Sequence, residues 1–389
     1  MAGRNAAYCD EATVAHQAAL RAATALGDSA EAGRAYHNLG TIHWRTGDLD
    51  ASLRFFSQAL AARREAGDPL AIAASLNNMG NVFERLGRYA DSLACHEEAL
   101  AIRTEVGDRA AIGQSRGNVG LVRWRLGDYE SALLDYEYAA EIARAEDDLG
   151  AEGDALANMA VIYNKLGRYD LSLRMQREAL RISRRLEDPA GEAISLNNIA
   201  VVLRTQGEYA EAATAARESV SISERNHDRA NRAMALAALG GALTGLGDLA
   251  AARAVLDEAH TLSEETGDQV NRAEVLNWLA RLQLLTADPG GAHDLFVAAR
   301  DIGQRIGEPE VWMEALIGLA SCALQLGDPA AAIAAATEAK ASAERSGALV
   351  SRTRLLQSDG VPDSAFARLT SSSWWHPMKE GVAEVLLQR

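Results

Sequence analysis

Residues 75–85 read SLNNMGNVFER, and the same pattern returns along the chain every forty residues. Residues 35–45 read AYHNLGTIHWR, residues 115–125 SRGNVGLVRWR, residues 155–165 ALANMAVIYNK and residues 195–205 SLNNIAVVLRT. Each copy runs into a Gly-containing turn: Gly47-Asp48, Gly87-Arg88, Gly127-Asp128, Gly167-Arg168 and Gly207-Glu208. A fixed period of this size is the mark of stacked supersecondary units, each touching only its neighbours.

With residue 33 as position 1, the repeats run 33–72, 73–112, 113–152, 153–192, 193–232, 233–272, 273–312 and 313 to about 347. In the first helix of each repeat, positions 4, 7, 8 and 11 share one face. Position 7 is apolar throughout (Leu39, Met79, Val119, Met159, Ile199, Leu239, Leu279, Leu319), and position 8 is always Gly or Ala, from Gly40 to Ala320. Gly in a helix interior costs roughly 1 kcal/mol, so its recurrence at one slot predicts close helix approach. In the second helix, positions 20 and 27 are Ser or Ala in every repeat, Ser52 and Ala59 being the first pair. The turn Gly67-Asp68-Pro69 places Gly past one helix end, Asp as the cap and Pro at the first position of the next helix. Asp188-Pro189, Asp288-Pro289 and Asp328-Pro329 repeat the Asp-Pro part.

Small slots at 8, 20 and 27, with Tyr or Leu at 17, resemble the tetratricopeptide repeat (TPR) over roughly residues 8–346. The forty-residue length, with NN-x-G in the first helix, is similar to the subset in spindle-orientation adaptors, kinesin light chains and the C-terminal arrays of actinobacterial regulators. The resemblance implies an all-α fold: a right-handed α-solenoid of about eight helix pairs, with the first helices lining its concave surface. Residues 1–32 match a second helix whose first helix is absent. Such a helix leaves an apolar face that a preceding segment covers, unless it caps the stack by itself. Residues 348–389 break the period; they are expected to form a C-terminal cap, or a docking element that uses Trp374 and Trp375.

The totals agree with a helical stack. Of 389 residues seven are Pro, and the balance of 39 Lys and Arg against 54 Asp and Glu gives a net charge of −15. That balance argues against sequence-independent nucleic-acid binding, which needs a broad basic surface. Cys9, Cys95 and Cys322 form no framework, so a reducing cytoplasm is the expected setting. There is neither a signal-peptide run nor an apolar stretch of membrane-spanning length, so no membrane partner is expected. Phosphate-binding loops, nucleophile elbows and metal-spaced His/Cys clusters are missing, so neither an enzyme nor a cofactor or metal site is expected. Cys95-His96 reads as packing, since His16 and His96 occupy position 24 alongside Phe56 and Tyr136.

Positions 2, 6, 9 and 13 share a second face. Position 6 is Asn38, Asn78, Asn118, Asn158 and Asn198, and position 13 is Arg45, Arg85, Arg125 and Lys165, with Arg204 one residue early in the fifth repeat. Asn is a poor mid-helix residue, so five copies at one slot call for a reason. An Asn amide donates and accepts, so a row of them grips the backbone of an extended peptide, while a parallel row of cations selects carboxylates. In the alternative reading, position 6 bonds the neighbouring repeat and the cations are solvated. Position 9 adds Asn81, Leu121, Val161 and Val201, and Trp44 and Trp124 either flank the groove or pack between first helices. The ladder ends near residue 205; beyond it, Trp278 and Arg281 mark a different site or plain scaffold. The expected function is capture of an extended acidic peptide or protein segment. Two alternatives are the sensing arm of a larger transcriptional or nucleotide-switch regulator, and a structural homo-oligomer joined through its ends.

Overall fold

A computed structural model describes residues 2–345 and shows how the period becomes structure. Among the described residues there are seventeen helices and no strand. The first is α1 (Ala2–Leu26). Hairpins follow: α2 (Ser29–Thr46) with α3 (Leu49–Ala66), α4 (Pro69–Arg85) with α5 (Tyr89–Val106), α6 (Arg109–Arg125) with α7 (Tyr129–Ala145), and α8 (Leu149–Lys165) with α9 (Tyr169–Arg185). Then come α10 (Pro189–Gln206) with α11 (Tyr209–Arg225), α12 (Arg229–Leu246) with α13 (Leu249–Thr266), α14 (Gln269–Leu285) with α15 (Pro289–Ile306), and α16 (Pro309–Gln325) with α17 (Pro329–Arg345). The first helix of each hairpin begins four residues ahead of the frame set at residue 33, because its N-cap residue, Asp in all but the last hairpin (Glu308), stands at position 36 of the preceding repeat. The expected C-terminal cap with Trp374 and Trp375 lies outside the described residues.

The turns are local chemistry repeated at twenty-residue spacing. Asp28, Asp48, Asp68, Asp108 and Asp128 each accept a hydrogen bond from the backbone N–H three residues on. Each cap follows a residue with positive φ, Gly27 through Gly127 in this half of the chain. At the same turn position Asp147, Glu187, His227 and Ala287 adopt φ of 54–60° without being Gly. The capped hairpin turn therefore overrides a cost of roughly 1 kcal/mol at each of these residues.

Two compact units result, one ending at Asn158 and the other starting at Met159, within α8. In the first unit α1 packs on α2, and each hairpin packs on the next. Position 8 meets the position-24 ring of its partner helix: Gly40 abuts Phe56, Gly80 abuts His96, and Gly120 lies against Tyr136 and Asp135. At position 20 the Ser52 hydroxyl donates to the Gly40 carbonyl at 2.9 Å, so the small slot there is also a hydrogen-bond site. Successive repeats are stapled by arginine. Arg63 Nη1 donates to the Ala71 carbonyl and Ser75 Oγ (2.9 and 2.8 Å), and Arg103 makes the same pair with Ala111 and Ser115 (3.1 and 2.7 Å).

In the second unit the core is almost wholly aliphatic, with Leu196, Ile199, Leu203, Leu236, Leu239 and Leu256 at its centre. Here first helices also touch one another directly: α10 with α12, α12 with α14 and α14 with α16. Small residues allow it. A Cβ on Gly241 of α12 would lie 2.8 Å from the Trp278 ring and 3.0 Å from the Arg204 side chain.

Candidate functional site

In the first unit the Asn row lies along the first helices, as positions 38, 78, 118 and 158 require. Asn38 and Asn158 are exposed, while Asn78 and Asn118 are half-buried. Asn118 Nδ2 donates to Asn77 Oδ1 at 2.6 Å, so this member of the row does reach the preceding repeat. One cavity of about 750 Å³ brings Asn118, Leu121 and Asn158 together, with Gly117 between them and Tyr136 and Ile142 of α7 behind. Neither Asn38, Asn78 and Asn81 nor the arginines of position 13 line it. Its charged wall residues are all carboxylates, Asp108, Glu146, Asp148 and Asp154, of which Asp108 and Asp148 cap helices and Glu146 pairs with Arg109.

The cations of position 13 stand at the C-terminal ends of the first helices, Arg125 one turn beyond Leu121. Arg45 is exposed. Arg85 is exposed and lies over the half-buried ring of Trp44, its guanidinium 4.7 Å from the centroid. Trp44 therefore bridges neighbouring first helices and holds a cation in place. Arg125 lies 4.6 Å over the Trp124 ring, with Nε 3.9 Å from the Glu84 carboxylate.

The second unit holds the rest of the predicted set. A cavity of about 190 Å³ unites Val161, Lys165, Asn198 and Val201 with Glu310. Lys165 Nζ is ion-paired to Glu310. Arg204 is half-buried, and its guanidinium lies 4.6 Å from the Trp278 ring centroid. Burial pulls Arg204 below the usual guanidinium range. Trp278 and Arg281 are themselves buried; Arg281 lies 4.5 Å over the same ring, with Nη2 3.1 Å from Glu314. Glu274 keeps access to water, yet its enclosure, with Glu314 nearby, pushes the carboxyl up to about 7 against the opposing effect of Arg204.

Sequence reasoning missed two charged features. Asp135, buried in α7, is held by Arg116 Nη1 at 2.8 Å and Arg123 Nη1 at 2.6 Å. These arginines occupy positions 4 and 11, the core stripe, where charge is a departure from the pattern and was the available signal. Glu310 carried no signal, because its partner is 145 residues away. Cys95 and Cys322 are not poised for reaction: burial first, then Glu98 and Asp91, push the Cys95 thiol up to about 11, and burial likewise raises that of Cys322.

The family model of the tetratricopeptide repeat matches residues 9–65, 71–145 and 152–225, more than half of the chain. The chain belongs to the tetratricopeptide-repeat family. No curated protein matches it. Among solved structures, the TPR array resembles the apo form of the quorum sensor NprR from B. thuringiensis, with a TM-score of 0.61 at 14% identity over 86% of this chain and 98% of that one. It also resembles a Rap protein complexed with Competence and Sporulation Factor (TM-score 0.58, 15% identity, 86% and 99% covered). A third likeness is to BtubC from P. vanneervenii (TM-score 0.51, 20% identity, 56% and 92% covered). At these identities the likeness is one of fold. TPR arrays are protein-interaction scaffolds, and no helix among the described residues is long and apolar enough to cross a membrane.

Proposed function

We propose that the TPR array captures an extended peptide or protein segment along its first helices, and that the segment carries acidic residues. The observation that carries this reading is the cavity of the first unit, which places Asn118 and Asn158, one repeat apart, on a single wall with Leu121. Amide side chains at that spacing meet the backbone of an extended segment at successive points, whatever its side chains. The carboxylates of the same wall repel acidic side chains, so an apolar or neutral side chain enters beside Leu121. Acidic side chains then meet Arg85 and Arg125, whose guanidiniums rest on Trp44 and Trp124. Asn38, Asn78, Asn81 and Arg45 extend the contact within the first unit, with Trp44 and Trp124 as supports rather than contacts, and Asn198 is the equivalent residue of the second unit.

The test is fluorescence anisotropy with a blocked, labelled peptide alternating glutamate and valine, and with its glutamine counterpart. The chain is expected to prefer the acidic peptide, less so at high salt. The Asn118→Ala/Asn158→Ala variant is expected to weaken binding of both peptides at least about tenfold, at unchanged helicity. Equal binding by this variant overturns the groove.

The likeness to a quorum sensor and to a Rap protein bound to a named factor supports a second, compatible reading: the array is the sensing arm of a regulator. A binding partner gained or lost when the peptide is added supports that role, and an unchanged partner set removes it.

A further inference from the structure

Lys165 and Glu310 are separated by 145 residues, yet they form an ion pair. One stands at the last residue of α8 and the other in the first turn of α16, first helices four repeats apart. Packed helix axes lie roughly 8–10 Å apart, so four such steps exceed the combined reach of the two side chains unless the array bends toward its first-helix side. The pair is formed, so the first helices between them curve toward that side; among these, α10, α12, α14 and α16 touch in succession, with Gly241 of α12 tight against Trp278. The pair therefore closes the inner face of the second unit. Glu310 also enters the cavity walled by Val161, Asn198 and Val201. Those are residues that the sequence marks for gripping a ligand, and Glu310 supplies a carboxylate among them.

We propose that Lys165, Asn198, Val161 and Val201 form a carboxylate-binding site in the second unit. Glu310 holds that site in the free protein, and an acidic side chain of the bound segment displaces it, opening the inner face. The inference rests on the functional reading above. The energetics suit a displaceable group. The two side chains are 23% and 57% exposed, and pairs of that kind contribute at most about 1 kcal/mol. The remaining charges favour departure as well. Glu274 lies near enough to repel the Glu310 carboxylate; of the cations around it, Arg281 is ion-paired with Glu314 and Arg204 lies over the Trp278 ring, while Lys165 is the one paired with Glu310.

The experiment uses the full chain and two readouts, small-angle X-ray scattering and anisotropy with the glutamate–valine peptide. Without peptide, Glu310→Gln and Lys165→Met are each expected to enlarge the radius of gyration, and the charge swap Lys165→Glu/Glu310→Lys to restore it. Single variants of wild-type dimensions overturn the clasp, whatever binds. With peptide, the wild-type chain is expected to expand to the dimensions of Glu310→Gln, and that variant to bind about fivefold more tightly. Binding without expansion, or with unaltered affinity in Glu310→Gln, overturns the displacement and leaves the functional reading standing. No binding by either chain overturns both.

Discussion

The imidazole of His96 fills the space over Gly80, so that a Cβ on Gly80 would lie 2.6 Å from Cε1 and Nε2 of the ring. His96 is 1% exposed and has nowhere to move. Gly80→Ala is expected to cost about 1–2 kcal/mol, overpacking outweighing the roughly 1 kcal/mol gained in helix propensity. Gly117, three residues before the equivalent slot, has nothing within 4 Å of a Cβ. Gly117→Ala is therefore expected to stabilise by up to about 1 kcal/mol. Urea unfolding followed by circular dichroism reads both, and shifts of the same sign would contradict this account of the small slot.

His96 also makes stability depend on pH. Burial, with Arg103 nearby, lowers its pKa to about 4 from an ordinary 6.5. Between those values the unfolded chain takes up a proton that the folded chain refuses, so the stability His96 contributes falls as pH drops from about 6.5 toward 4 and is constant above 7, while Glu274, raised to about 7, acts in the opposite sense. The loss attributable to His96 reaches about 3 kcal/mol. His96→Phe, which installs the residue found at Phe56, is expected to remove about half of the histidine slope; His37, also lowered to about 4 by burial and Arg63, contributes a comparable share. Unfolding midpoints at pH 7 and pH 5 decide it.

Asp135 is 1% exposed and receives Arg116 and Arg123 on its two oxygens, tying two turns of α6 to α7. Asp135→Ala leaves both guanidiniums without that acceptor. Each retains some access to water, and Arg123 keeps Glu97 at 2.9 Å, which softens the loss. The expected cost is about 2–3 kcal/mol, below the range for a fully buried pair. Arg123→Met alone is expected to cost less than Asp135→Ala, because Arg116 still satisfies the carboxylate. The opposite order would show that Arg123 acts through packing.

What could be read from the residues was what depends on neighbours in sequence. Asp68 capping α4 and Gly67 at positive φ follow from three adjacent letters, and the Gly40–Phe56 contact follows from the period. The position-6 row was equally legible as a row. Its chemistry was less so, since Asn118 bonds Asn77 of the preceding repeat, as one of the two sequence alternatives has it, and also lines the cavity. Lys165 illustrates the limit. Its cation was found by register, but its partner Glu310 depends on how far four repeats curve, which tertiary packing such as that of Gly241 on Trp278 decides and no local pattern announces.

Register also exposes a missing cap. Arg168 stands, as do Arg88 and Glu208 in two other hairpins, where Asp48, Asp128 and Asp248 cap their second helices; its φ −88° and ψ 64° are close to the −82° and 72° of Asp128. Its side chain makes no capping hydrogen bond. The backbone is thus already in the geometry an Asp requires, with the Leu171 N–H in the place of the donors that Asp48 and Asp128 use. Arg168→Asp is expected to stabilise the chain by about 1 kcal/mol, helped by a negative charge at a helix N-terminus. Arg168→Ala controls for loss of the arginine and is expected to change little. The same substitution at Arg88 should gain less, because Arg88 bonds Asp91 at 2.7 Å and covers the Phe83 ring at 4.4 Å. Thermal or urea midpoints that rise equally for Arg88→Asp and Arg168→Asp would mean that those contacts contribute nothing.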